Sequence, residues 1–358
     1  MMDIEKVVNK ISLLHSTSVE TPTSFKLAYE IVDSIKIDWK RKDLKILDPS
    51  CGRGTFLLAV LKKLIENGHS LQAASKIIHG CDTSKLQTKI AAKALKLATG
   101  CDNNIYCEDS LEKGWNMKFD VVVGNPPFQE SKKNGKRKDQ ASNLWSKFWS
   151  KSFSITKNDG IIAFITPTTW TSPSGDLKGK AKIGKMTRLW DVFNRYTSYA
   201  NIVDVAKHFP GVGSSFGYVI VDKSGTQGLS FSDNIDTSLG FLPKSNINDV
   251  KDQLSTVVNL GNMFKINQSN IFKNKPNLRV SIPMTRSLDI DSIEILNGNA
   301  VPTKGSTKPS LYLYVHVSTQ EEAEKVKDRI IDCIDILNTY CRWSGFISIQ
   351  TVKMIEWK

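Results

Sequence analysis

The most chemically specific stretch of the chain is Val123-Gly124-Asn125-Pro126-Pro127-Phe128, at the end of an apolar run. Two prolines fix φ and remove two N–H donors, so the turn is stiff and the carbonyls of Asn125 and Pro126 are left to accept. The Asn125 amide oxygen adds a third acceptor, and Phe128 adds a flat apolar surface. That set suits a planar group bearing an exocyclic –NH2. Upstream, Ile46-Leu47-Asp48-Pro49-Ser50-Cys51-Gly52-Arg53-Gly54-Thr55-Phe56 leaves one apolar segment, turns on two glycines and opens another. Gly52 and Gly54 let backbone approach a ligand closely, and Asp48 can receive a cation. Leu57 stands where the third glycine of a G-x-G-x-x-G fingerprint belongs, and no G-K-[ST] follows to make a P-loop. Two further acids each end an apolar run: Asp82 after Ile-His-Gly-Cys, and Asp109, followed by Ser110, after Ile-Tyr-Cys-Glu. An acid ending a second strand is placed to accept both hydroxyls of a ribose, and Asp109 with Ser110 to read the amino edge of an adenine ring. The plain alternative for each acid is an N-cap of the following helix.

These residues need a scaffold that brings strand ends together. Strands are expected at Lys45–Leu47, Ile77–Cys81, Asn104–Cys107, Phe119–Val123, Gly160–Thr166, Asn201–Val205 and Phe216–Val221. Between them Thr55–Asn67 and Ser84–Thr99 repeat apolar residues at helical period. Strands alternating with helices of this length imply crossover units and a Rossmann-like, mostly parallel α/β sheet of seven strands, covered on both faces. Ligands bind such a sheet at the carboxyl ends of the strands, near the point where strand order reverses. After Lys223 the pattern degrades into a Ser-, Asn-, Gly- and Pro-rich stretch through residue 310, read as an irregular second domain. Ser310–Ser318 then reads as a strand and Glu321–Leu337 as an amphipathic helix, so the C-terminal domain is expected to be α+β.

The 358 residues carry a net charge of +13, which favours a polyanionic partner such as nucleic acid. From Ser131 to Arg188 thirteen Lys or Arg face three acids, and five of them fall in Lys132-Lys133-Asn134-Gly135-Lys136-Arg137-Lys138. This run follows the Asn-Pro-Pro-Phe segment directly, so phosphate contact is favoured over a merely solvated face. Residues 265–310 hold seven basic residues against three acids. The six cysteines include no C-x-x-C pair and no histidines at zinc spacing, so free thiols and no metal site are expected. No apolar run approaches the roughly 18 residues that span a bilayer, and no secretory h-region opens the chain. A cytoplasmic monomer of two domains, with no membrane partner, is the expectation.

The glycine turn, the ribose acid and Asn-Pro-Pro-Phe, in this order and spacing, resemble the S-adenosylmethionine-dependent amino-methyltransferases of DNA, and more narrowly the γ-class adenine-N6 enzymes. In that class a cofactor-binding segment precedes the glycine motif and a target recognition domain lies C-terminal. Val19-Glu20-Thr21-Pro22-Thr23, followed by a helix at Ser24–Ile35, matches the N-terminal segment. The match covers residues 21–222; residues 224–358 agree only in position. The resemblance implies a methyltransferase domain at 1–223, a DNA-binding target recognition domain at 224–358, and S-adenosylmethionine as cofactor. Cofactor contacts would be Thr21, Asp48, Pro49, Cys51, Gly52, Gly54, Asp82, Asp109, Ser110 and Asn125. Asn125, Pro126, Pro127 and Phe128 would be catalytic. His208-Phe209-Pro210-Gly211-Val212-Gly213-Ser214-Ser215 resembles the family's segment bearing a second aromatic that stacks on the target base, with Phe209 chosen and Phe216 as the alternative. The partner is double-stranded DNA, from which one adenine is flipped out; Lys132, Lys133, Lys136, Arg137 and Lys138 would hold its backbone. Such enzymes are bacterial, or phage-encoded in a bacterial host.

Rival readings change the substrate, the activity or the domain content. Protein-glutamine and RNA guanine-N2 methyltransferases also carry Asn-Pro-Pro-aromatic, but usually place their extra domain N-terminally. Cytosine-N4 enzymes generally have Ser where Asn125 stands. A non-catalytic DNA-binding relative is disfavoured by the intact motifs, and a fused restriction–modification enzyme by the want of a nuclease motif.

Overall fold

Serine and glycine punctuate the first half of the chain and fix where its helices start and stop. The computed structural model describes residues 4–12, 22–128, 144–171, 183–202, 205–209, 216–232, 235–236, 242–243, 253–255, 257–268, 278–285, 288–304, 312–340, 347 and 349–358. Helices α1 (Ile4–Ser12), α2 (Phe25–Asp33), α3 (Thr55–Glu66), α4 (Leu71–Ile77) and α5 (Lys85–Thr99) precede α6 (Leu144–Ile155) and α7 (Leu189–Arg195). Ser24, Ser70 and Ser84 are the N-caps of α2, α4 and α5, each hydroxyl accepting a first-turn N–H. Each such cap is worth about 1 kcal/mol. Gly100 ends α5 in the left-handed region, at φ 73°, and its N–H returns to the Lys96 carbonyl. A Cβ at that φ would be strained, which is why glycine stops the helix there.

The strands are β1 (Ile46–Asp48), β2 (Ile78–Asp82), β3 (Asn104–Cys107), β4 (Phe119–Gly124), β5 (Thr156–Pro167), β6 (Thr197–Asn201), β7 (Phe216–Asp222) and β8 (Leu229–Phe231). They form one sheet in the order β3-β2-β1-β4-β5-β7-β6-β8. β1 pairs in parallel with β2 and β4, β2 with β3, and β4 with β5. β7 is antiparallel to both β5 and β6. β1 and β4 are buried along their whole length, as strands covered on both faces must be. Leu57, Leu58, Val60, Leu61 and Leu64 of α3 join Val121, Val123, Ile161 and Ile165 of the sheet in one apolar cluster. Burying a side chain of this size stabilises by roughly 1.5–3 kcal/mol.

The sheet has eight strands rather than the expected seven. The eighth, Leu229–Phe231, runs parallel to β6 at the edge, with Ser198, Tyr199 and Ala200 opposite Leu229, Ser230 and Phe231. Leu229-Ser230-Phe231 alternates apolar and polar residues, but three residues are too short a run to mark a strand from sequence alone. β6 also lies earlier than expected: it is Thr197–Asn201, while Val205–His208 forms a 3-10 turn. Its polar residues Ser198 and Asn201 are buried, and β6 is paired on both sides, to β7 and β8. β5 starts at Thr156, four residues before the expected Gly160, because a register shift opposite Phe119 and Val121 absorbs the intervening residues.

The chain divides into two compact units, one of Met1–Val212 with Phe216–Ser232 and one of Gly213–Ser215 with Asp233–Lys358. The second is α+β: Lys265–Asn267, Tyr312–His316, Arg279–Pro283 and Glu294–Leu296 are neighbours in that order in a four-stranded sheet, every pairing antiparallel. The helix expected at Glu321–Leu337 is instead two, Gln320–Asp332 and Ile334–Tyr340, divided at Cys333. Thr319 and Glu322 form a reciprocal capping box at the start of the first. Ala323, Val326 and Ile330 from its buried face pack with Val280, Ile282, Leu313 and Val315 of the sheet. Among the described residues no helix is long and apolar enough to cross a membrane, and no group of three His, Cys, Asp or Glu residues is placed to hold a metal ion.

Candidate functional site

The order β3-β2-β1-β4 lines up the carboxyl ends of four adjacent parallel strands, bearing Asp109, Asp82, Asp48 and Asn125 in turn. With about 4.8 Å between neighbouring strands, the row spans roughly 14 Å. The chain turns one way from β1 toward β2 and β3 and the other way toward β4, so the row straddles the switch point where open α/β sheets bind ligands.

Asp48 is the most constrained member. It is 2% exposed, and its Oδ1 accepts the Ser50 N–H at 3.0 Å. Burial is the main force on its carboxyl, pushing it up to about 8, with the nearby Asp82 charge raising it further and the Ser50 bond opposing. A Cβ placed on Gly124 would sit 2.5 Å from Asp48 Oδ1, so the carboxyl lies against the last residue of β4 and only glycine fits there. The acid thus adjoins the peptide that leads into Asn125. The neighbouring Ser50 hydroxyl is buried with no hydrogen-bond partner among the described residues.

The glycine turn is held from both sides. Gly52 and Gly54 adopt φ of 48° and 91°, conformations that a side chain resists. Gly54 N–H donates to the Cys51 carbonyl at 2.8 Å, and a Cβ on Gly54 would press on Ala91 of α5 at 3.2 Å. Around a Cβ at Gly52, by contrast, nothing lies within 4 Å, so this residue faces open space. Asp82 Oδ2 accepts the Gly52 N–H at 3.0 Å, and its Oδ1 accepts the Ser84 N–H at 2.8 Å. The acid at the end of β2 therefore ties the glycine turn to the start of α5. Cys51 N–H donates to the Cys81 carbonyl at 2.9 Å. Both cysteine side chains are buried, which holds the Cys51 thiol well above its usual range and pushes that of Cys81 up to about 12. They remain protonated and inert.

Ser110 is buried and donates its hydroxyl proton to the Pro49 carbonyl at 2.6 Å. The Trp115 indole N–H donates to the Ser110 carbonyl at 3.4 Å. Ser110 therefore ties the chain after β3 to Pro49, at the start of the glycine turn. Asp109 is exposed, and its Oδ1 accepts the Leu111 N–H at 2.9 Å, a local turn cap of the kind weighed against a ligand role.

In the Asn-Pro-Pro-Phe segment Pro126 is buried, Pro127 is exposed, and Asn125 and Phe128 are half-buried. Asn125 Nδ2 donates to Thr23 Oγ1 at 3.1 Å, a contact between segments too far apart for sequence patterns to reveal. The Phe128 ring lies 6.0 Å from that of Phe216, and Phe209 meets Phe216 edge-on at 4.8 Å. Phe209 and Phe216 are both buried in the apolar cluster behind, so Phe128 is the aromatic of the three with an exposed face. Thr21 and the basic residues Lys132, Lys133, Lys136, Arg137 and Lys138 lie outside the described residues.

A family profile described as Eco57I restriction-modification methylase matches residues 10–197. The Type I restriction enzyme MjaIX methylase subunit of Methanocaldococcus jannaschii is 34% identical over 119 residues, covering 33% of this chain and 20% of that protein. The matched stretch is thus about a fifth of that relative's length. Among solved structures, the type I restriction-modification system methyltransferase subunit from Streptococcus thermophilus aligns at 16% identity with a TM-score of 0.44, over 69% of this chain and 55% of the other. A candidate class I S-adenosylmethionine-dependent methyltransferase from Listeria monocytogenes aligns at 17% identity with a TM-score of 0.46, over 70% of this chain and 78% of the other.

Proposed function

The chain belongs to the Eco57I restriction-modification methylase family, and on that premise we propose that it methylates the N6 amine of an adenine in double-stranded DNA, with S-adenosylmethionine as cofactor. The observation that carries the reading is the acceptor-rich Asn125-Pro126-Pro127-Phe128 turn at the end of β4, directly beside the buried Asp48. The residues suit the cofactor. Asp82 carries carboxylate oxygens with a second lone pair for ribose hydroxyls. Gly52 opens on free space, the buried Ser50 hydroxyl has no partner among the described residues, and Asp48 is an acid whose burial is relieved by a cation. The row of strand ends also has the reach an elongated nucleoside requires. When bound, S-adenosylmethionine supplies an electrophilic methyl group on a sulfonium.

The chain's own residues deal with the amine. The adenine amino nitrogen is a poor nucleophile because its lone pair is delocalised into the ring. Asn125 Oδ1 and the Pro126 carbonyl accept its two N–H groups and draw the nitrogen toward tetrahedral geometry, which localises the lone pair. Phe128 stacks on the base and offsets part of the cost of flipping it, at about 1–3 kcal/mol per stacked base. Fixed acceptors need no reorganisation as charge develops on the nitrogen. Lys132, Lys133, Lys136, Arg137 and Lys138 follow this segment and hold phosphates, while the second unit, from Asp233 to Lys358, supplies target recognition. The protein acts in this proposal as a cytoplasmic monomer, which light scattering of the free protein checks.

The test is to incubate the protein with unmethylated DNA and labelled S-adenosylmethionine, hydrolyse the DNA and identify the modified base. N6-methyladenine is expected. N4-methylcytosine would move the target to the other exocyclic amine. Label found only in RNA or protein would overturn the DNA reading, and no transfer to any of them would leave a binding protein.

A further inference from the structure

Asn125 can present either side of its planar amide to a substrate, and only the oxygen accepts an N–H. Its Nδ2 donates to Thr23 Oγ1 across 102 positions of sequence, and among the described residues no donor reaches its Oδ1. Nitrogen and oxygen point to opposite sides of the amide, so a nitrogen held by Thr23 turns the oxygen the other way. Thr23 is itself held in place, because the next residue, Ser24, is the N-cap of α2 and accepts the Leu27 N–H at 3.3 Å. The Ser24 hydroxyl also lies 3.4 Å from His208 Nδ1, on the turn that follows β6. Thr23 and Ser24 thus join three separate stretches of chain: α2, the end of β4 and the turn after β6.

We propose that Thr23 is a positioning residue that sets the orientation of the Asn125 amide, so that its oxygen and not its nitrogen meets the amine of the target base. The assignment rests on the methyltransfer reading above. The Thr23 hydroxyl acts as acceptor toward Nδ2, leaving its own proton for another acceptor. An isosteric side chain without the hydroxyl leaves one amide N–H without its acceptor and lets the amide turn over. The turned amide offers a donor where the target base also has donors.

Two variants test this, Thr23→Val, which keeps the shape, and Thr23→Ser, which keeps the hydroxyl. The Asn125 side-chain amide resonances are assigned by their loss in Asn125→Ala and followed in the unliganded protein. Single-turnover methylation of DNA and the affinity for S-adenosylmethionine are measured alongside. In Thr23→Val the Asn125 amide protons should shift and exchange faster with solvent, and single-turnover transfer should slow by about tenfold or more, the effect of one misdirected hydrogen bond. Cofactor affinity should stay within about threefold, and Thr23→Ser should restore both the resonances and most of the rate. Unchanged Asn125 resonances in Thr23→Val overturn the proposal whatever the activity. So does a loss of cofactor affinity that matches the loss of rate, since Thr23 would then act on the cofactor and not through Asn125. Wild-type protein that transfers no methyl to DNA, yet shows the Thr23-dependent resonances, would defeat the methyltransfer reading and leave the Thr23–Asn125 coupling standing.

Discussion

Replacing Asp48 by asparagine should stabilise the unliganded fold, and increasingly so as pH rises. The carboxyl moves from its ordinary 3.8 to about 8 on folding, chiefly because burial disfavours the charged form. Every tenfold change in an ionisation equilibrium is worth about 1.4 kcal/mol, so the full displacement amounts to at most roughly 6 kcal/mol against the ionised acid. The sign follows from proton counting. Between about pH 4 and 8 the unfolded chain has released this proton and the folded chain retains it, so raising the pH favours unfolding. Asparagine keeps the shape beside Gly124 and an oxygen to accept the Ser50 N–H, but it has no proton to lose. From about pH 5 to pH 8 the stability of Asp48→Asn relative to wild type should therefore grow by up to roughly 4 kcal/mol. The site relaxes around the ionised acid, so about 2 kcal/mol is the expected gain. Urea denaturation monitored by tryptophan fluorescence, repeated across this pH range on both proteins, reads the difference directly. Titrating groups remote from Asp48 cancel in the comparison. A difference that is flat with pH, or that shrinks as pH rises, would refute the argument. The same residue makes the opposite demand on ligand binding. A cation beside Asp48 favours the ionised acid, so wild-type affinity for S-adenosylmethionine should rise from about pH 6 to 8 and level off above, whereas Asp48→Asn should bind weakly at every pH.

Other variants separate the parts of the site. Asn125→Ala should keep cofactor affinity and lower single-turnover methylation by at least ~100-fold, about 2.7 kcal/mol of transition-state stabilisation. Gly124→Ala forces a methyl group to 2.5 Å from Asp48 Oδ1, and should cost about 1–3 kcal/mol in urea denaturation and weaken cofactor binding. Gly52→Ala meets no atom within 4 Å and should cost only the strain of its positive φ, about 1–2 kcal/mol. Neutralising Lys132, Lys133, Lys136, Arg137 and Lys138 together should flatten the plot of log DNA affinity against log salt by about 0.9 for each lost phosphate contact, with the methylated site unchanged. An unaltered slope would mark the run as solvated.

Sequence alone determined the parts of this protein that depend on short-range rules. Helical apolar period located α3 and α5, apolar runs located β1 to β4, and the family resemblance located α2, each to within a few residues. The row of Asp109, Asp82, Asp48 and Asn125 could also be read in advance, since a parallel sheet places its ligand groups at strand ends. What sequence could not determine were the features that one segment imposes on another. β8 is only three residues long and β6 begins four residues before the expected strand, so their bounds are set by the ladders they form with neighbours. The Ser110 hydroxyl donates to the Pro49 carbonyl 2.6 Å away, a fact of folding across 61 positions. Phe209 could equally have lain at a surface or in a core, and contact with Phe216 turns it inward. The need for glycine at Gly124, and the bond from Asn125 to Thr23, arise where the end of β4 meets Asp48 and the entry to α2. Chain segments distant in sequence meet there, and the tertiary structure decides which hydrogen bonds their polar atoms make.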